Sequence, residues 1–129
     1  MEQRVYLVDL PGYGYAKAAK TARHGFAKLL REYLSRRREL VGVVWLLDIR
    51  REPSGDDHDA RALLAARGLP VIMAMTKADK VSRGRRGARV QAIRAALDAT
   101  DVEYVVTSAR TREGIAELRD ALQALIPRA

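Results

Sequence analysis

The sequence predicts an α/β fold built on a mostly parallel sheet. Three observations lead there. Short β-rich apolar runs alternate with segments of helical periodicity, four times over. The connections are long enough for crossovers, which parallel strands require. Each apolar run also ends in a polar group, and in open α/β sheets the carboxyl edge of the strands is where ligands bind.

Val5, Leu7, Val8 and Leu10 form the first run, predicted as a buried strand that stops at Asp9-Leu10-Pro11-Gly12. Phe26, Leu29, Leu30, Tyr33 and Leu34 recur at helical spacing, which predicts an amphipathic helix over roughly residues 23–38. Leu40 to Asp48, LVGVVWLLD, is continuously apolar and reads as a strand buried on both faces. Ser54-Gly55-Asp56-Asp57 carries capping residues and opens a helix with Ala60, Leu63 and Leu64, closing at Gly68. Pro70 to Thr76 is the third strand. A polar loop follows, then a helix with Val90, Ile93 and Leu97 on one face. Glu103 to Thr107 is the fourth strand, and Ile115, Leu118, Leu122 and Leu125 mark a last helix before Pro127.

A chain of 129 residues suits one domain, and 48% hydrophobic content argues against disorder. With seven aromatic residues, aliphatic side chains must supply most of the core. The absence of cysteine excludes disulfides and thiolate metal sites and fits a reducing cytosol. The longest apolar run, Leu40 to Leu47, is too short to span a bilayer, so no membrane role is expected. A net charge of +8 and a pI near 10.3 favour a polyanionic partner such as nucleic acid. His24 and His58 lack metal-ligand spacing.

Thr76-Lys77-Ala78-Asp79 is the most specific strand ending. A carboxylate at Asp79 can accept hydrogen bonds from the N1–H and exocyclic amine of guanine, a pairing that adenine does not offer. The Lys77 stem can lie along the base, Thr76 can brace neighbouring loops, and Thr107-Ser108-Ala109 can present backbone N–H groups to the guanine O6. Alone, this tetrapeptide suits a capped loop better. The buried strand before it, and a strand ending in Ser-Ala-Arg thirty residues later, favour the base-reading role. Asp9 has the chemistry to hold magnesium through water, and Gly12 permits close backbone approach to a γ-phosphate.

Together DLPGYGYAK (9–17), LLDIR (46–50), TKADK (76–80) and TSAR (107–110) resemble the EngB (YihA/YsxC) family of GTP-binding proteins. The resemblance runs over essentially the whole chain, and tyrosine-glycine-tyrosine after Asp-x-Pro-Gly is its most distinctive part. It implies a Rossmann-like, three-layer P-loop NTPase fold of the G-domain type. It also implies GTP or GDP with Mg2+ as ligands, a GTP-dependent role in large ribosomal subunit assembly with rRNA as partner, a cytoplasmic location, and a link to cell division and septation. By the same resemblance Asp9 and Gly12 belong to the switch II motif, Thr76, Lys77 and Asp79 to the guanine-reading motif, and Thr107, Ser108 and Ala109 to the motif that completes the base site.

The family pattern opens with a strand, a GxxxxGK[ST] phosphate loop and a switch I threonine, and these do not occur in residues 1–129. Gly14 to Thr21 reads GxxxxAKT, with Ala19 where the second glycine belongs. The expectation is a partial G domain over 1–129, from the switch II strand to the C-terminal helix, with unpaired inner sheet edges prone to association. A chain that binds rRNA without turning over GTP is the alternative. Lys77, Lys80, Arg83, Arg85, Arg86, Arg89 and Arg94 crowd the loop and helix after Thr76 with only Asp79 opposing them, a cluster suited to RNA phosphates.

Overall fold

The computed structural model describes residues 4–10 and 20–127. Strand β1 (Val43–Asp48), β2 (Val71–Thr76) and β3 (Glu103–Val106) form a parallel sheet in the order β1-β2-β3. Helices α1 (Lys20–Arg36), α2 (Gly55–Arg67), α3 (Arg83–Ala96) and α4 (Ile115–Leu125) separate or follow the strands, and a 3-10 turn (Ala78–Lys80) precedes α3. The alternation read from the sequence is therefore present in order from α1 onward.

Local chemistry explains the boundaries. At the start of α2 the Ser54 hydroxyl accepts the Asp57 N–H at 3.2 Å, while the Asp57 carboxylate accepts the Ser54 N–H at 2.8 Å. This reciprocal pair satisfies donors that the helix itself cannot. The helix ends at Gly68, whose φ of 75° is costly for other residues, and whose N–H bonds the Leu64 carbonyl at 3.1 Å.

The core lies where three helices meet one face of the sheet. Leu30 and Leu34 of α1, Ala60 and Leu64 of α2, and Val90 and Ile93 of α3 pack with Trp45, Leu47, Met73 and Met75. Met73 and Met75 are wholly buried because β2 is flanked on both sides. On the other face Ile72 and Ala74 are also fully covered. Near the start of β1, Gly42 leaves room for α4: a Cβ there would stand 2.6 Å from Leu125 Cδ1.

Two expectations fail here. The strand predicted over Val5–Leu10 does not form. Residues 4–10 have no regular structure, and Val5, Tyr6, Leu7 and Val8 are exposed. An apolar run supplies β propensity, but a strand also needs a ladder partner, and this run pairs with no strand among the described residues. Secondly, the run from Leu40 is not buried on both faces. It becomes strand only at Val43, and Leu46 is 64% exposed while its neighbours Trp45 and Leu47 are buried. Successive side chains of a strand point to opposite faces, and along β1 only the face of Trp45 and Leu47 packs into the buried core, so a continuously apolar sequence shows an alternating burial pattern.

A candidate guanine-reading edge

Parallel pairing puts Asp48 of β1 opposite Thr76 of β2, at the carboxyl end of both strands. The Thr76 hydroxyl donates to the Leu47 carbonyl at 3.2 Å, and the Ile49 N–H donates to the Thr76 carbonyl at 3.0 Å. Thr76 thus braces the neighbouring strand end, as its place in the sequence suggested. Lys77 then turns the chain with a φ of 62°, a left-handed conformation that costs a lysine about 1 kcal/mol or more. Its payoff is geometric, because the next three residues close the 3-10 turn that carries Asp79.

The loop after β3 is joined to this turn at two levels. Backbone bonds run from the Ala78 N–H to the Thr107 carbonyl at 3.0 Å and from the Thr107 N–H to the Met75 carbonyl at 2.8 Å. Side chains add a second link: the wholly buried Ser108 donates its hydroxyl to Asp79 Oδ1 at 2.9 Å and accepts the Thr111 N–H at 3.1 Å. The Ser108 hydroxyl holds the Asp79 carboxyl below the usual carboxylate range. Thr76, Lys77, Asp79, Thr107, Ser108 and Ala109 are therefore gathered at one end of the sheet.

The geometry changes one detail. Ser108 does not offer its N–H outward, because that group bonds the Glu113 carbonyl at 3.0 Å. Ala109 is exposed beside this network. Asp9 is exposed, next to Leu10, which packs against the core, and Gly12 lies outside the described residues. A single carboxylate does not make a magnesium site by itself; such sites draw further ligands from substrate phosphates and water. Among the described residues no group of three or more His, Cys, Asp or Glu is arranged to hold a metal ion.

Asp48 is the residue whose importance the sequence understated. Its strand-end position is visible there, but its partners are not. Arg50 grips it with Nε on Oδ1 at 3.1 Å and Nη2 on Oδ2 at 2.9 Å, and Lys77 Nζ stands 3.5 Å from Oδ2. The Arg50 hydrogen bond, with Lys77 assisting, lowers the Asp48 carboxyl to about 2. Asp48 thereby holds the ammonium of Lys77 close to the end of β1.

That shift carries a pH prediction. A depressed carboxylate stabilises the fold fully above its unfolded value near 3.8, and the gain disappears as pH falls toward about 2. The unscreened limit is about 2.4 kcal/mol. Arg50 is 41% exposed, so screening reduces this to about 1 kcal/mol. Asp48→Asn is expected to lose about that much at pH 6 and almost nothing at pH 2, measured by urea unfolding. An unchanged acid dependence would show that the pair contributes no net stability.

The basic cluster after Thr76 also needs correction. Arg86 is paired with Glu113 at 2.6 Å, and Arg89 with Glu52 at 3.0 Å. Arg94 bonds the carbonyl of Thr100 and lies 4.4 Å from the Tyr104 ring centre. Their opposing acids come from other loops, which a linear reading of charge does not reveal. Lys80, Arg83 and Arg85 remain exposed and in no ion pair among the described residues.

A parallel sheet with helices between its strands, and with two polar loops joined at its carboxyl edge, is the fold of P-loop GTPases of the G-domain type, and solved members of that class share it. A structure described as a probable GTP-binding protein engB superimposes with a TM-score of 0.75 over 90% of this chain and 73% of that one, at 15% identity. Era, solved with MgGDPNP and nucleotides 1506–1542 of 16S ribosomal RNA, superimposes with a TM-score of 0.66 over 88% of this chain and 38% of its own, at 17% identity. No protein-family model matches. By sequence, the "Probable GTP-binding protein EngB" of Desulfitobacterium hafniense is 42% identical over 120 residues, which cover 92% of this chain and 60% of that relative. Over these aligned residues the chain is an EngB-family sequence. It spans about 60% of the length of the curated relatives that it matches first.

Proposed function

We propose that this chain is the base-reading part of an EngB-type GTP-binding protein, a partial G domain running over 1–129 from the switch II segment to the C-terminal helix. The observation that carries the reading is the buried Ser108 hydroxyl on Asp79 at 2.9 Å, which locks the two base-contacting loops into one unit. A carboxylate accepts more than one hydrogen bond per oxygen, so Asp79 keeps capacity for both guanine donors while bonded to Ser108. Lys77 packs its stem on the base, with its charge tethered to Asp48. Thr76 and Thr107 hold the loops, and the Ala109 N–H meets O6. Asp9 and Gly12 serve the phosphate side as switch II residues, with Mg2+ arriving on the nucleotide and reaching Asp9 through water.

Guanine nucleotide then sets a conformational state that serves assembly of the large ribosomal subunit in the cytoplasm, and through it cell division and septation. Exposed Lys80, Arg83 and Arg85 beside the base edge suit rRNA phosphates. Era's structure, which contains ribosomal RNA, supports a ribosomal partner by analogy of fold. No described helix is long and apolar enough to cross a membrane.

The test is direct titration of the 129-residue chain with GDP, GTP and ADP in the presence of magnesium. Guanine nucleotides are expected to bind at least about tenfold more tightly than ADP, since ADP lacks the donors that Asp79 accepts. Equal affinity would sink the base assignment.

A further inference from the structure

We propose that Arg86 of α3 is a positioning residue for guanine recognition, holding the two base-reading loops in register from behind. The proposal rests on the guanine reading above and assigns a role to a residue that touches no part of the expected ligand.

Arg86 is the only described side chain that bonds both loops from outside them. Its Nε donates to the Ala78 carbonyl at 3.1 Å and to the Val81 carbonyl at 3.3 Å, one on each side of Asp79. Its Nη1 bonds Glu113 Oε2 at 2.6 Å. Glu113 in turn accepts the Ser108 N–H on its carbonyl at 3.0 Å and donates its own N–H to Thr111 Oγ1 at 3.3 Å. One guanidinium therefore fixes the carbonyls that flank Asp79 and the residue that orients Ser108, and these are the two partners of the 2.9 Å bond at the centre of the edge.

Chemistry makes arginine the suitable residue. Its planar fork presents several donors in fixed directions, whereas a lysine ammonium is a single point of charge. The side chain is 17% exposed, so these bonds are shielded from competing water. Arg89, one turn along α3, repeats the arrangement on the loop after β1, donating to the carbonyls of Ile49 at 3.0 Å and Arg51 at 3.1 Å. That loop holds Arg50, the partner of Asp48. The inner face of α3 thus reaches three loops, and Arg86 takes the two that read the base.

The experiment compares Arg86→Ala, Arg86→Lys and, as control, Arg119→Ala at an exposed position of α4, in the 129-residue chain, by amide hydrogen exchange and by GDP and ADP titration. Arg86→Ala is expected to speed exchange at Ala78, Ser108 and Thr111 by roughly tenfold and to cut the GDP-over-ADP preference by a similar factor. Exchange at Met73 and Ala74 in the sheet centre should stay at the parent level, and Arg119→Ala should match the parent throughout. Arg86→Lys keeps the charge opposite Glu113 and should fall between, which covers the case in which the alanine variant does not fold. Faster exchange spread evenly over the sheet, or a GDP preference that survives Arg86→Ala and Arg86→Lys, overturns the positioning role. A parent chain that binds GDP and ADP equally overturns the guanine reading, a different failure that is read before any variant is made.

Discussion

Replacing Asp79 by alanine is expected to lower GDP affinity by roughly 10- to 150-fold and to leave ADP affinity unchanged. The asymmetry is the informative part. On the proposed reading Asp79 accepts from groups that only guanine presents, so its removal would withdraw base-specific bonds and leave those to the rest of the nucleotide in place. Loss of the carboxylate also frees the Ser108 hydroxyl, which is buried and otherwise bonded to Asp79 at 2.9 Å. Ser108→Ala should therefore weaken GDP binding in the same direction but less, because it leaves the acceptor in place and removes only its support. In the double variant the two effects should fall short of additive, as expected for residues that share one bond. The Ser108 hydroxyl also keeps Asp79 ionised below the ordinary carboxylate range, so guanine preference should persist at mildly acidic pH and fade only as pH drops further. Isothermal titration with both nucleotides checks each point. An Asp79→Ala chain that loses GDP and ADP equally would mean that Asp79 acts on the fold and not on the base.

Gly114→Ala is the second large effect, and it reaches the same edge through the backbone. Gly114 opens α4 with a φ of 76°, and a Cβ on it would overlap the carbonyl of Val106 and stand 3.0 Å from the Val106 carbonyl carbon and 3.3 Å from Thr107 Cα. These are backbone atoms at the end of β3, which cannot rotate aside as a side chain can. Strain and overlap together should cost at least about 2 kcal/mol and push apart the 107–114 loop that carries Ser108 and Glu113. Gly87→Ala makes the matched control. It lies within α3 with nothing within 4 Å of the added Cβ, so alanine should stabilise the chain by about 0.5–1 kcal/mol through helix propensity. Urea denaturation followed by circular dichroism separates the two. If Gly114→Ala unfolded at the parent midpoint, close approach of α4 to β3 would not be a requirement of the fold.

These two residues also mark how far the sequence could be read. The four helices and three of the four expected strands follow from periodicity and capping, since both act over a few neighbouring residues. Ser54 with Asp57 and the stop at Gly68 are of that kind. The TKAD and SAR strand endings were legible for the same reason: each is a local chemical pattern, and a parallel sheet brings successive strand ends to one edge.

Partnership between distant segments was not legible. The run Val5–Leu10 has the composition of a strand yet joins no ladder among the described residues, and Leu46 is apolar yet exposed because it faces away from the core that Trp45 and Leu47 enter. The basic residues of α3 read as a surface for RNA, whereas Arg86 and Arg89 hold loops through acids 27 and 37 residues away. By itself, then, the sequence determined the element order from α1 onward, the polar strand endings and the family resemblance, because short-range pattern and residue chemistry suffice for each. Only the tertiary structure decided which charges are internal, that Ser108 serves Asp79 through its hydroxyl, and that Asp48 tethers Lys77. Those are contacts across the sheet edge, and their distances depend on how the strands align in space.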